Sequence, residues 1–220
     1  VRASAGGTLA RVALVGQGVG SLTCERKPGE AWTIYELDPL VAAIARDPSL
    51  FRFMTVCAPD TEVVLGDGRL TLRAAKPGID LLLLDTFSSD AVPLHMLTRE
   101  AFALYKSRLG PHGVILMNIS NRNMQLRDAV AASAAANSMV TAVKRDHRQV
   151  DSAHDLRFLS EIALVARSEA DLQSLKLGPD WRAVRPSAGT KVWTDDYSNV
   201  LDAILANMRQ PALPAKNPGR

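Results

Sequence analysis

The sequence contains few cysteines, no long apolar run and no cluster of basic residues, and each absence excludes a class of protein. Cys24 and Cys57 lack the spacing of a metal or redox motif, so we expect two reduced thiols in an intracellular protein and no metal site. No apolar run approaches the roughly 20 residues that cross a bilayer. Lysines and arginines outnumber acidic residues by only 26 to 23 and are dispersed, which argues against nucleic acid as a partner.

What the chain does contain is typical of a soluble globular protein. Of its 220 residues 47% are hydrophobic and 22% are charged, a balance that can offset the entropy lost on folding. The length predicts one domain over residues 1–209, and the proline-rich residues 210–220 are expected to be a disordered tail. The first ten residues lack the apolar core of a signal peptide, so we expect a cytoplasmic location.

Apolar segments alternate with helical patterns along the chain. Leu81–Leu84 are four consecutive leucines, which is typical of a strand buried on both faces of a parallel sheet. The alternation predicts an α/β fold with a doubly wound, mostly parallel seven-stranded sheet. The strands are expected at Arg11–Gly16, Trp32–Asp38, Glu62–Asp67, Ile79–Asp85, Gly113–Ser120, Met139–Lys144 and Glu161–Ala166. The helices are expected at Val19–Glu25, Leu40–Arg46, Arg69–Ala75, Thr98–Leu109, Met124–Ser138 and Glu169–Leu175.

The first strand is followed by a glycine loop, Gly16-Gln17-Gly18-Val19-Gly20. Glycines allow a tight turn and let the backbone approach a ligand, although a plain strand-to-helix turn also explains them. The spacing departs from the G-x-G-x-x-G pattern of dinucleotide sites and better matches an S-adenosylmethionine-type cofactor. We therefore predict that the three glycines of this loop bind a cofactor.

Acidic residues follow the second and third predicted strands. Glu36, 20 residues after the first glycine of the loop, can accept hydrogen bonds from both ribose hydroxyls. Asp38 is better explained as a helix cap. Asp67, with Gly68 after it, could bind an adenine amino group or cap the next helix. Together with the loop, Glu36 and Asp67 predict a nucleoside pocket at one edge of the sheet.

The fourth predicted strand ends at Asp85, whose charge follows a highly apolar segment. Such a charge needs a partner, and a cationic substrate is one candidate. Asp90, farther along the same loop, is either a turn residue or a substrate contact. His95 could orient a carboxylate or contact substrate, but a single histidine beside apolar residues more often has a structural role.

A second acidic pair lies near the end of the chain. Asp195 and Asp196 are flanked by Trp193 and Tyr197, and carboxylates beside aromatic rings suit an alkyl diamine. Trp193 could equally anchor this segment in the core.

These motifs together resemble the spermidine synthase (polyamine aminopropyltransferase) family, most closely the branch often attached to membrane-spanning segments. The similarity covers roughly residues 11–201. Its carriers are Val15–Leu22, Tyr35–Pro39, Leu65–Leu70, Leu84–Ala101, Ser120–Arg122 and Trp193–Asn199.

The resemblance implies a methyltransferase-like (Rossmann-like) fold and decarboxylated S-adenosylmethionine as the donor of an aminopropyl group. By the same resemblance, Glu36 would bind ribose, Asp67 and Gly68 adenine, Asp85 would be the catalytic carboxylate, and Asp90 would bind the polyamine. The acceptor would be putrescine or a related diamine, and no metal would take part. Only ten residues precede the first strand, so the family's N-terminal β-rich domain is expected to be absent.

Two other functions stay open. The first is an S-adenosylmethionine-dependent methyltransferase, although Leu14 stands where the glycine loops of methyltransferases usually have an acidic residue. The second is a catalytically silent nucleoside-binding domain of a larger membrane protein, on its cytoplasmic side. Val19, where the family usually has an aspartate, favours this second alternative. We expect no membrane contact from this chain itself and leave a homodimer open.

Overall fold

The apolar strands pair into one sheet. A computed structural model describes residues 2, 7–86, 93–146 and 160–209. Its strands are β1 (Arg11–Val15), β2 (Ala31–Glu36), β3 (Glu62–Leu65), β4 (Ile79–Leu84), β5 (Leu109–Asn118), β6 (Val140–Asp146), β7 (Ser160–Ala166) and β8 (Trp181–Val184). Their order across the sheet is β3-β2-β1-β4-β5-β7-β6-β8.

The sheet is mostly parallel, as predicted. Strands β1 to β5 all run in one direction, whereas β7 is antiparallel to β5 and β6, and β8 is antiparallel to β6. The predicted number of seven strands is wrong, because β8 adds an eighth at the edge. Only four residues long and partly exposed, β8 lacks the apolar run that marked the other strands.

Helices connect the strands and cover the sheet. They are α1 (Pro39–Arg46), α2 (Phe53–Cys57), α3 (Gly68–Ala74), α4 (Arg99–Arg108), α5 (Arg127–Ala135), α6 (Glu169–Ser174) and α7 (Val200–Met208), with short 3-10 helices at Ser21–Glu25 and Leu94–Met96. The capping role of Asp38 is confirmed, because its side chain accepts from the Leu40 N–H at 2.8 Å. Helices α2 and α7 were not predicted from the sequence, and a 3-10 helix replaces the helix predicted from Val19. None of the described helices is long and apolar enough to cross a membrane.

The core occupies both faces of the sheet. Leu82 and Leu84 pack in a cluster with Phe102 of α4 and Val130 of α5. Leu81 points to the other face, into a cluster that includes residues of β5, β7 and α6. The central strand β4 is therefore covered on both sides, as its run of leucines predicted, and its carboxyl end is fixed in place.

Cys24 and Cys57 form a disulfide, with their Cα atoms 4.8 Å apart. The expectation of two reduced, separate thiols is therefore wrong. The bond joins the 3-10 helix that follows the glycine loop to the end of α2, and Arg26 and Asp60 connect the same two regions through a bidentate ion pair of 2.7 and 3.1 Å. Because disulfides persist mainly in oxidising compartments, this bond does not support the predicted cytoplasmic location, which stays a prediction.

Two predicted features lie outside the described residues. One is the tail at residues 210–220, and the other is Asp90, which falls within residues 87–92. The domain assignment of residues 1–209 stays a prediction.

Candidate active site

The carboxyl ends of β1, β2 and β4 open onto one cavity of about 610 Å³, which we call the large cavity. In a parallel sheet these ends lie at the same edge, where ligands of α/β folds usually bind. Most of the predicted site residues line this cavity, namely Gly16, Gly18, Glu36, Asp67, Gly68, Asp85 and His95. These residues lie in one pocket although they are spread over 80 positions of the chain.

The glycine loop needs glycine for two different reasons. Gly16, Gly18 and Gly20 all have positive φ, at 89°, 50° and 82°, where residues with a Cβ are strained. A Cβ at Gly16 would also overlap the carbonyl oxygen of Asp85. At Gly20 it would lie 2.7 Å from the side chain of Met54 in α2. Gly16 thus allows the loop to cross the end of β4, whereas Gly20 allows the loop to pack closely against α2.

Glu36 is buried and held rigidly at the end of β2. The residue has only 8% relative exposure, Oε2 accepts from the Gln17 N–H at 2.8 Å, and Oε1 accepts from the Asp38 N–H at 2.9 Å. A carboxylate has about four acceptor sites, and the described hydrogen bonds use two of them. Glu36 also lines the large cavity. This geometry allows Glu36 to accept two further hydrogen bonds from a diol.

Asp67 has a capping role and a second contact. Its Oδ1 accepts from the N–H groups of Arg69 and Leu70, at 3.0 and 2.9 Å, which caps α3. Its Oδ2 lies 3.1 Å from Nε2 of His95. The helix-cap alternative is thus confirmed for one oxygen, while the other oxygen and His95 face the large cavity together.

Asp85 is exposed to the cavity, not buried, because the chain leaves the apolar layer after Leu84. Its Oδ1 accepts from Nδ2 of Asn118 at 3.0 Å. The amide oxygen of Asn118 accepts in turn from the Ser120 N–H at 3.0 Å and the Ser120 hydroxyl at 2.6 Å. One oxygen of Asp85 is therefore fixed, and Oδ2 makes no hydrogen bond to a described residue.

Asp195 is already paired. Both of its oxygens accept from the guanidinium group of Arg69 at 2.7 Å, and Oδ1 also accepts from the Thr98 hydroxyl at 2.8 Å. The hydrogen bonds from Arg69, more than the one from Thr98, lower the pKa of Asp195 to about 2. Neither Asp195 nor the exposed Asp196 lines the large cavity. Trp193 is buried, as the core alternative for this residue expected.

The sequence analysis missed two residues that shape the site. Asn118 ends β5 just as Asp85 follows β4, so a search for polar residues at every strand end would have found it. Arg69 gave no such signal, because its partner Asp195 is 126 positions away. Among the residues described, no group of three histidine, cysteine or acidic side chains could hold a metal ion.

Part of the chain resembles a known protein in sequence. No family model matches the chain. It is 34% identical to the polyamine aminopropyltransferase of Vibrio vulnificus (strain CMCP6) over 114 residues. Over this stretch the chain is similar to a polyamine aminopropyltransferase. The match covers 49% of the chain and 37% of that enzyme, so it spans little more than a third of the relative's length.

Solved structures share the fold at low sequence identity. A probable spermidine synthase from Corynebacterium glutamicum matches 86% of this chain and 73% of its own, with a TM-score of 0.60 and 18% identity. A spermidine synthase in complex with the transition-state analogue AdoDATO matches 94% of this chain and 66% of its own, with a TM-score of 0.54 and 16% identity. Human methyltransferase-like protein 13 in complex with SAH matches 94% of this chain and 84% of its own, with a TM-score of 0.52 and 20% identity. The fold is therefore the methyltransferase-like one, and the attachment to a membrane-spanning region stays a prediction.

Proposed function

We propose that this chain is an aminopropyltransferase that moves an aminopropyl group from decarboxylated S-adenosylmethionine to an amine. The observation that carries the proposal is that Glu36, Asp67 and Asp85 line one cavity together with the glycine loop. The sequence relation to a polyamine aminopropyltransferase supports this chemistry.

The donor would occupy the large cavity through its nucleoside. Glu36 would accept hydrogen bonds from the two ribose hydroxyls, because it lines the cavity and its carboxylate is held by only two N–H groups. Asp67 and Gly68 would contact the adenine, and His95 would orient Oδ2 of Asp67. The backbone of Gly16 and the rest of the glycine loop would lie against the donor near Asp85.

Asp85 would act on the attacking amine. The amine nitrogen must be uncharged and in line with the carbon beside the sulfonium. Oδ2 of Asp85 would take the proton of the amine, while Asn118 holds Oδ1. The new N–C bond forms as the C–S bond breaks, and the electron pair stays on sulfur. The leaving group is a neutral thioether, so no general acid is needed.

A methyltransferase is the second candidate. The fold of this chain also occurs in human methyltransferase-like protein 13, whose structure contains SAH. Leu14 argues against methyl transfer, because it lies in β1 two positions before the loop and supplies no carboxylate there.

Calorimetric titration followed by a turnover assay tests the proposal. We expect tighter binding of decarboxylated than of ordinary S-adenosylmethionine, and release of methylthioadenosine when an amine is added. Preference for the carboxylated donor with formation of SAH would instead indicate methyl transfer. Nucleoside binding without turnover in the presence of any amine would indicate a non-catalytic nucleoside-binding domain.

The variant Glu36→Gln is expected to weaken nucleoside binding. Loss of a charged hydrogen-bond acceptor at the ribose corresponds to about 1–3 kcal/mol of binding free energy. The dissociation constant of methylthioadenosine, measured by calorimetry, reports this change directly. Glu62→Gln, at the exposed start of β3, is the matched control and should leave the constant unchanged. Equal affinities in both variants would remove Glu36 from the ribose site.

A further inference from the structure

Arg69 bonds to two residues at the proposed adenine end of the large cavity. Its backbone N–H donates to Oδ1 of Asp67 at 3.0 Å, and Nη1 of its side chain donates to the carbonyl oxygen of His95 at 3.0 Å. These two residues also contact each other, because Nε2 of His95 lies 3.1 Å from Oδ2 of Asp67. Both line the large cavity, and we call them the Asp67–His95 pair. One arginine therefore helps to place each member of the pair.

Asp195 fixes the guanidinium group of Arg69. Its two oxygens accept from Nη1 and Nη2 at 2.7 Å each, and a bidentate pair of this kind sets the orientation of the guanidinium plane. Asp195 lies on a segment that is itself held in place. The carbonyl oxygen of the buried Trp193 accepts from the Arg99 N–H at 2.8 Å. The N–H of Asp195 donates to Oε2 of Glu100 at 3.1 Å.

The exposure of this ion pair favours a role in orientation over one in stability. The side chain of Asp195 is 44% exposed, and ion pairs open to solvent contribute little to the free energy of unfolding. Neither Arg69 nor Asp195 is among the described residues that line the large cavity. Any effect of these two residues on a nucleoside in this cavity would therefore pass through the Asp67–His95 pair.

We propose that Arg69 and Asp195 are positioning residues that keep Oδ2 of Asp67 where it accepts from the exocyclic amino group of adenine. This inference rests on the proposed function, in which Asp67 contacts the adenine of the donor. The strength of a hydrogen bond falls steeply when donor and acceptor are misaligned, so the acceptor oxygen must be held accurately. A site built to bond an N–H group discriminates against the analogue that lacks it.

Loss of the ion pair is expected to affect only a ligand that carries the amino group. Without Asp195, the guanidinium group is free to turn away from the carbonyl oxygen of His95, and the Asp67–His95 pair loses its fixed geometry. The amino group of adenine then loses a well-placed acceptor, whereas a purine with hydrogen at position 6 loses nothing. General loosening of the fold would instead weaken the binding of both nucleosides equally.

The test measures two dissociation constants by calorimetry, one for methylthioadenosine and one for its 6-deamino analogue, in which hydrogen replaces the exocyclic amino group. We expect the wild-type protein to bind methylthioadenosine about tenfold more tightly than the analogue, as for a hydrogen bond to a charged group. Asp195→Asn should remove most of this preference by weakening only the binding of methylthioadenosine. Asp195→Glu keeps a carboxylate for Arg69 and should retain the preference.

Asp60→Asn is the matched control. Asp60 forms another bidentate pair, with Arg26 at 2.7 and 3.1 Å, and neither residue is among the described residues that line the large cavity. This control should leave both dissociation constants unchanged. Arg69→Gln removes the guanidinium group and should reduce the preference as Asp195→Asn does. Denaturant unfolding establishes that each variant is folded under the conditions of the titration.

Asp67→Ser separates this inference from the proposed function, because serine still caps α3 but lacks the second carboxylate oxygen. If Asp67→Ser loses the preference while Asp195→Asn and Arg69→Gln keep it, the positioning role is overturned and the adenine contact stands. Equal weakening of both nucleosides in Asp195→Asn would also overturn the positioning role. A preference unchanged in Asp67→Ser, or absent in the wild type, would overturn the adenine contact and the positioning role together. If all preferences change as expected but no amine yields product, aminopropyl transfer fails and the positioning role stands.

Discussion

Replacing Asp85 with asparagine is expected to slow the proposed aminopropyl transfer by about 10²–10⁴-fold, the usual contribution of a general base. Asparagine keeps an oxygen that can accept from Nδ2 of Asn118, so the hydrogen bond and the local fold should survive. What the variant loses is the carboxylate oxygen that we propose takes the proton of the amine. Affinity for methylthioadenosine should stay within a few fold, because the proposed nucleoside contacts are mainly those of Glu36 and Asp67.

The rate is measured as methylthioadenosine release at saturating donor, and the affinity by calorimetry. Asp80→Asn is the matched control on the same strand, because Asp80 lies near the opposite end of β4. There its Oδ2 accepts from the N–H groups of Ala10 and Arg11, at 2.7 and 3.0 Å. This control should turn over normally. Near-normal turnover of Asp85→Asn would reject the base role of this residue.

Reduction of the Cys24–Cys57 disulfide is expected to lower the free energy of unfolding by about 3–4 kcal/mol. The bond closes a loop of 33 residues, and the loss of loop-closure entropy in the unfolded chain gives this magnitude. Cys24 is exposed, so a dithiol reductant can reach the bond. Denaturant unfolding with and without reductant measures the difference.

The double variant Cys24→Ser/Cys57→Ser is the control for this experiment. Its stability should match that of the reduced protein and should not respond to reductant. If the oxidised and reduced wild-type proteins unfold at the same denaturant concentration, the disulfide does not stabilise the fold. A free-thiol count of two in the oxidised protein would show that the bond does not form.

The convergence of the site could be predicted from the sequence because it depends on a general property of parallel sheets. Residues that follow successive strands must meet at one edge, whatever their separation along the chain. Glu36, Asp67 and Asp85 needed only the strand positions, and the apolar residues of β2, β3 and β4 gave those. The same reasoning applied to β5 would have added Asn118.

Contacts between distant segments could not be predicted in this way. The Cys24–Cys57 bond and the Arg69–Asp195 pair depend on how a helix packs against a loop, and no spacing pattern encodes that geometry. The edge strand β8 could not be predicted from the sequence for a different reason. Its residues are half exposed, so they carry neither an apolar run nor a clear alternation.

Gly16 and Gly18 differ in the substitutions that each position would tolerate during evolutionary divergence. At Gly16 any other residue would be strained by the positive φ and its Cβ would overlap the carbonyl oxygen of Asp85. A Cβ at Gly18, in contrast, would meet nothing within 4 Å. Asparagine adopts a left-handed backbone more readily than other non-glycine residues. A profile built to find distant relatives should therefore weight position 16 heavily and let position 18 vary between glycine and asparagine.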